Sequence, residues 1–119
     1  MMTTVTEENF QHEVLTSSVP VFVHFQAPWC GICRLISPVL ASVQADWPTP
    51  LKIVEINADA NLKLANHYQL QTLPTLIYIQ DGQALHRIEG FKSRESLRTR
   101  LKGIALSSRF SGSILSRSA

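Results

Sequence analysis

The run "VPVFVHF" at 19–25 constrains this chain more than any other stretch. It is almost wholly apolar and rich in β-branched residues. A strand wetted on one face alternates apolar with polar residues. A run without that alternation reads as a strand covered on both faces, as in a parallel sheet. Parallel strands need a crossover between them, usually a helix. The following residues supply one: Ile32, Leu35, Ile36, Val39, Leu40, Val43 and Trp47 recur at steps of three and four, the period of an amphipathic helix. Pro38 lies inside it, removes one hydrogen bond and is expected to kink it. "LKIVEIN" at 51–57 then reads as a second interior strand.

The remaining elements fall around this unit. Thr6, followed by Glu7 and Glu8, resembles an N-cap with acids in the first turn, which predicts a helix to about Leu15 with Phe10, Val14 and Leu15 turned inward. A short helix is expected at 59–68. "TLPTLIYIQDGQALHRIEGF" reads as a hairpin, with strands at 75–79 and 84–89 around Asp81-Gly82. Ser93 caps a last helix carrying Leu97, Leu101 and Ile104 on one side and Arg94, Arg98 and Lys102 beside them. There is room for a short strand at 3–5. The fold class is therefore α/β, with a central mixed sheet of four or five strands flanked by helices on both faces. Residues 1–106 form the expected domain. Residues 107–119, Ser-rich and without a period, are expected to be a flexible tail.

The bulk numbers exclude several classes. The 119 residues suit one domain, and a 45% hydrophobic, 17% charged composition can build a core. The apolar runs fall far short of the roughly 20 residues needed to span a bilayer, so no membrane partner is expected. The start, "MMTTVTEENF", has neither a basic region nor an apolar one, so no secretory signal is expected and a cytoplasmic location is the default. Charge is lopsided: residues 1–85 hold 3 Lys/Arg against 7 Asp/Glu, while residues 86–119 hold 8 against 2. The basic third reads either as a solvated face or as a docking surface for an acidic protein. Phe91 and Phe110 are its only Phe, Trp or Tyr residues and do not alternate with the charge, so nucleic acid is not an expected partner.

The only two cysteines are Cys30 and Cys33. Random placement would put two cysteines three apart about one time in sixty, so the spacing asks for a use. Two thiols cannot complete a structural zinc site alone. Metal shared across a dimer is a disfavoured alternative, and no metal is expected. A structural disulfide over so small a loop would constrain little of the unfolded chain. Redox chemistry is the favoured use. Cys30 falls where the helix begins, at the carboxyl end of a central strand, where open α/β sheets place functional sites. Unpaired N–H groups there lower a thiol's pKa. Cys30 is thus the expected exposed nucleophile. Cys33, one turn on, is the better shielded resolving thiol.

The segment "FQAPWCGICRLISPVL", with "TLPT" at 72–75, "DG" at 81–82 and Gly90 of "IEGF", resembles the thioredoxin family over residues 5–105. The resemblance implies the thioredoxin fold and a redox-active Cys30–Cys33 disulfide. It implies a cis Leu73-Pro74 peptide facing the cysteines. It also implies a docking surface made of Trp29, Gly31, Ile32, Thr72, Leu73, Pro74 and Gly90. Thr72 would offer its backbone to an extended substrate segment.

Four residues depart from the family pattern. Ile32 replaces a usual proline, Gln26 replaces a common tryptophan, His24 stands where the family has a buried aspartate, and Glu55 stands where a lysine approaches that aspartate. The last two read as an exchanged pair, with His24 as a candidate proton relay to Cys33 and Glu55 as its partner. A charge-assisted bond is expected to favour the ionised pair. The alternative is a core histidine with a structural partner. His12, His67 and His86 are expected on the surface.

The resemblance implies an enzyme, a monomeric protein dithiol–disulfide oxidoreductase. Its partners would be disulfide-containing target proteins and a thioredoxin reductase or other dithiol donor. No cofactor of its own is expected. Ile32 and His24 predict a potential less reducing than that of an ordinary thioredoxin. The competing reading is a thioredoxin-like scaffold with little redox turnover.

Overall fold

The computed structural model describes residues 2–118, with side chains described for 2–107. Five strands form one mixed sheet in the order β1-β3-β2-β4-β5: β1 Thr3–Thr4, β2 Val21–Gln26, β3 Lys52–Asn57, β4 Thr75–Gln80 and β5 Gln83–Ile88. β2 pairs in parallel with β3, and β3 with β1. β2 pairs antiparallel with β4, and β4 with β5. The run at 19–25 therefore sits at the centre, paired on both edges, and Val21 to Phe25 are buried. The strand begins one residue after Pro20. Pro20 has no N–H for a ladder, but its carbonyl accepts from Lys52 N–H at 3.0 Å.

Helix α1 spans Gly31–Asp46 and crosses from β2 to β3. It continues through Pro38, which leaves the Arg34 carbonyl without its helical donor. Ile36, Val39 and Leu40 face the sheet. Ile32 and Leu35, which share the apolar period, instead stand exposed beside the helix start. α3 runs Arg94–Ser118 behind Ser93, whose Oγ accepts Ser96 N–H at 3.1 Å. Its Leu97, Leu101 and Ile104 join α1 over Phe22, Ile53, Leu76, Tyr78 and Ile88. The expected tail, 107–119, falls on the last turns of this helix and on residue 119, outside the described residues.

The opposite face of the sheet carries the second core. Val21, Val23, Phe25, Val54, Ile56, Ile77 and Ile79 meet Phe10 and Val14 there, with Leu64 of α2 (Leu62–His67) and Tyr68, just past its end, alongside. Both helices on this face are shorter than expected. Only Gln11–Leu15 is helical in the first segment, as a wide π turn closed by Thr16 N–H on the Gln11 carbonyl at 3.0 Å. Asn9 and Thr6 hold each other instead of extending it, with Asn9 Oδ1 accepting Thr6 N–H at 2.8 Å. α2 loses its first turn because Asn57 Oδ1 holds Asp59 and Ala60 N–H in a turn at 2.9 and 3.3 Å.

The hairpin turns at Asp81 and Gly82, with φ of 54° and 77°. Both lie in the left-handed region that the tight turn needs, which explains the Asp-Gly pair. Arg87 on β5 closes the far end of α2: its guanidinium donates to the Tyr68 carbonyl and to the Gln69 carbonyl, the latter at 2.9 Å. Among the described residues no helix is long and apolar enough to cross a membrane.

Candidate active site

β2 ends at Gln26, and the chain turns back so that Cys30 N–H donates to the Ala27 carbonyl at 3.0 Å. Cys30 keeps an extended backbone (φ −87°, ψ 98°) and is the N-cap of α1; its Sγ accepts the N–H of Cys33 at 3.2 Å. A sulfur thus occupies the place where a serine or aspartate oxygen usually satisfies a helix's first donors. Cys30 and Cys33 are joined as a disulfide, with Cα atoms 5.3 Å apart. Cys30 was expected to be exposed, and here the structure corrects the sequence. In the disulfide the two residues are 4% and 1% exposed. To reach both Cys33 and its N–H, the Cys30 sulfur turns in under the first turn of α1.

The register gathers the other docking candidates at the same sheet end. Thr75, at the start of β4, lies opposite Phe25 at the end of β2, so the cis Leu73-Pro74 peptide precedes β4 beside the cysteine turn. Ile88 lies opposite Leu76, which brings Gly90 to that end too. Gly90 has φ 68°, a conformation that side chains rarely adopt. Pro74 is buried, Leu73 is half-buried, and Gly31, Thr72 and Gly90 are exposed. The Thr72 carbonyl accepts the Thr75 hydroxyl at 2.7 Å, which leaves one of its lone pairs open.

Trp29 is 68% exposed, so its ring is a surface element and not packing under the helix. It is nonetheless anchored: its Nε1–H donates to Asp59 Oδ2 at 2.7 Å. Arg34 ties α1 to the same turn through Nη2–H on the Pro28 carbonyl at 2.8 Å. The sequence reading missed Asp59 and Arg34 as site residues. Nothing in their local pattern marks them, since each works through a contact made across the fold.

His24 and Glu55 are directly opposite one another on β2 and β3. By alternation His24 shares its face with Phe22, the face that α1 covers. Nδ1 of His24 is 3.9 Å from Glu55 Oε2, too far for a hydrogen bond. The imidazole is fully buried, and both its nitrogens lack a hydrogen-bond partner among the described residues. Burial pushes its pKa down to about 4. The expectation of an ionised pair therefore fails: His24 is neutral at neutral pH. The Glu55 side chain is 26% exposed at an edge that only the two-residue strand β1 covers. Of the other histidines, His12 and His67 are exposed, while His86 is half-buried with its ring 5.6 Å from that of Tyr78.

The thioredoxin family model matches residues 1–103 of the chain. Thioredoxin 1 of Synechococcus elongatus is 39% identical over 93 residues, covering 78% of this chain and 87% of that protein. The thioredoxin of Porphyra purpurea is 35% identical over 97 residues, 82% of this chain and 91% of that protein. The thioredoxin of Mycobacterium tuberculosis is 37% identical over 100 residues, 84% of this chain and 86% of that protein.

Proposed function

The chain belongs to the thioredoxin family and is a thiol–disulfide oxidoreductase, and on that premise we propose how its own residues divide the reaction. Cys30, as thiolate, attacks one sulfur of a target protein's disulfide. That bond breaks, and its electron pair leaves on the target's other sulfur, which takes up a proton. Cys33 then loses its proton and attacks Cys30 Sγ, releasing the second target sulfur as a thiolate. Once that thiolate takes up a proton, the target has gained two electrons and two protons, and the Cys30–Cys33 disulfide has formed. A separate dithiol donor restores the pair.

The observation that carries this reading is the Cys33 N–H on Cys30 Sγ at the head of α1. It aims a donor at the sulfur that must become negative, and the helix end adds partial positive charge. Trp29, Gly31, Ile32, Thr72, Leu73, Pro74 and Gly90 form the docking surface around it. His24 serves as the proton acceptor for Cys33. A neutral imidazole has a free lone pair to accept a proton; burial makes it a weak base, and the two unpaired buried nitrogens, at about 1–3 kcal/mol each, are a cost that a functional role explains. Glu55 supplies a negative charge at 3.9 Å once that imidazole is protonated. The potential is less reducing than that of an ordinary thioredoxin. Ile32 keeps an N–H in the first turn that proline would lack, and His24 removes a buried negative charge. Both favour the Cys30 thiolate.

The direct test is reduction of insulin by dithiothreitol. The protein should accelerate it, Cys30→Ser should not, and Cys33→Ser should accumulate mixed disulfides with many targets. Capture of a single partner that survives loss of both thiols would establish the scaffold reading instead.

A further inference from the structure

The N-terminal turn and the start of α2 cap each other across the fold. Asn61 is the N-cap of α2, yet its side chain makes no cap bond to that helix. Its Oδ1 accepts the backbone N–H of Glu7 at 2.9 Å, and its Nδ2 donates to the Asn57 carbonyl at 2.9 Å. The helix donors left over are taken by Glu7, whose Oε2 accepts Lys63 and Leu64 N–H at 2.7 and 3.2 Å. In an ordinary capping box, two residues of one turn exchange side-chain bonds for each other's N–H. Here the exchange joins segments 54 to 57 residues apart.

The loop held by this exchange is the one that holds Trp29. Asn57 Oδ1 fixes Asp59 and Ala60 N–H, Asn61 fixes the Asn57 carbonyl, and Asp59 Oδ2 receives the Trp29 indole N–H. Asn61 is buried at the middle of the set, whereas Trp29, Asp59 and Glu7 are exposed. α2 spans only Leu62–His67, too short to hold its own first turn. The position of Asp59 therefore depends on bonds supplied from outside the helix. We propose that Glu7 is a positioning residue for disulfide exchange: its carboxylate, through the Asn61-centred loop, fixes Asp59 and so the orientation of the Trp29 ring beside the cysteines. The inference rests on Trp29 being part of the docking surface.

The test compares Glu7→Ala, which loses both charge and acceptor, with Glu7→Gln, which keeps an acceptor. Glu13→Ala breaks the remote ion pair with Lys52 and serves as the stability control. Two quantities are read on full-length protein: hydrogen exchange of the Trp29 indole N–H, and KM and kcat for insulin reduction. A lost cap typically shifts a local opening equilibrium about fivefold, so Glu7→Ala should speed indole exchange by about that factor. KM should rise with kcat little changed, and Glu7→Gln should recover most of both. Glu13→Ala should leave the indole as in the parent. Unchanged indole exchange in Glu7→Ala, or an equal change in Glu13→Ala, overturns the proposal. Trp29→Ala in the same assay separates the premise: an unaltered KM there removes the docking role, while indole exchange in Glu7→Ala still reads the link from Glu7 to the ring.

Discussion

His24 and Glu55 face each other on neighbouring strands with 3.9 Å between Nδ1 and Oε2, within reach of an ion pair if the imidazole is protonated, and burial opposes that protonation. Burial wins over the nearby charge. Desolvation sets the imidazole pKa, and the carboxylate remains turned partly to water. A base without a bound proton thus lies on the sheet face beneath α1, which is the state a proton acceptor requires.

That burial fixes the sign of an acid response. In the unfolded chain His24 takes a proton near pH 6.5, and in the folded chain only near pH 4. Its contribution is fully present above pH 6.5, declines as pH falls, and is lost by about pH 4. The whole span is worth about 3 kcal/mol. Urea unfolding at pH 7, 5.5 and 4.5 should show a steeper decline for the parent than for His24→Leu. Parallel declines would contradict the assignment.

His24→Leu also separates relay from structure. Removing two orphaned nitrogens while keeping the volume filled should raise stability at pH 7 by about 1 kcal/mol. Turnover should fall by about a hundredfold, the low side of what a positioned base contributes. A variant that is more stable and equally fast would leave His24 as a core residue only. Glu55→Gln should slow turnover less, since it alters only the charge beside the imidazole.

Ile32→Pro removes a donor from the first turn of α1. The reduced form should lose relative stability, and the potential should become more negative by about 30 mV, which for two electrons is about 1.4 kcal/mol. Equilibration of both proteins against glutathione measures the difference. An unchanged or less negative value would refute the part given to the Ile32 N–H.

The last described residue of the main core on α3 is Ile104, with Ala105 packed against it and Leu106 exposed. A chain ending at Leu106 should keep its melting temperature within a few degrees and reduce insulin at the parent rate, since it retains every described core residue of α3. A loss of several kcal/mol would move the domain boundary beyond residue 106.

What the sequence disclosed depended on how local the signal was. β2, α1 and β3 announce themselves because an unalternating β-branched run and a three-and-four period leave few other folds. The Asp81-Gly82 turn was legible for the same reason: two adjacent residues with positive φ demand that pair. The cysteine pair was legible as redox chemistry, and its place at the head of α1 followed from where the helix period starts. The shortened α2 was not legible, because Asn57 and Asn61 spend their side chains on loop and N-terminal backbone instead of extending the helix. Arg87 on the carbonyls of Tyr68 and Gln69, and Asp59 under Trp29, were hidden too. Each joins residues 18 to 30 positions apart without any period. The protonation of His24 could not be read at all. It turns on depth of burial and on a gap slightly too wide for a hydrogen bond.

The bond between Trp29 and Asp59 ties the β2–α1 turn to the turn that follows β3, across the length of α1. Cys30 and Cys33 lie at the start of that connection, and Asp59 reaches Trp29 only when β3 has docked. The hairpin of β4 and β5 closes over a two-residue turn, whereas β2 and β3 meet only after the whole of α1 is in place. A nascent or locally opened chain therefore carries both thiols but lacks the docking surface proposed above. On that proposal selectivity is a property of the completed topology, and the WCGIC segment alone, cut out as a peptide, should exchange disulfides without discrimination.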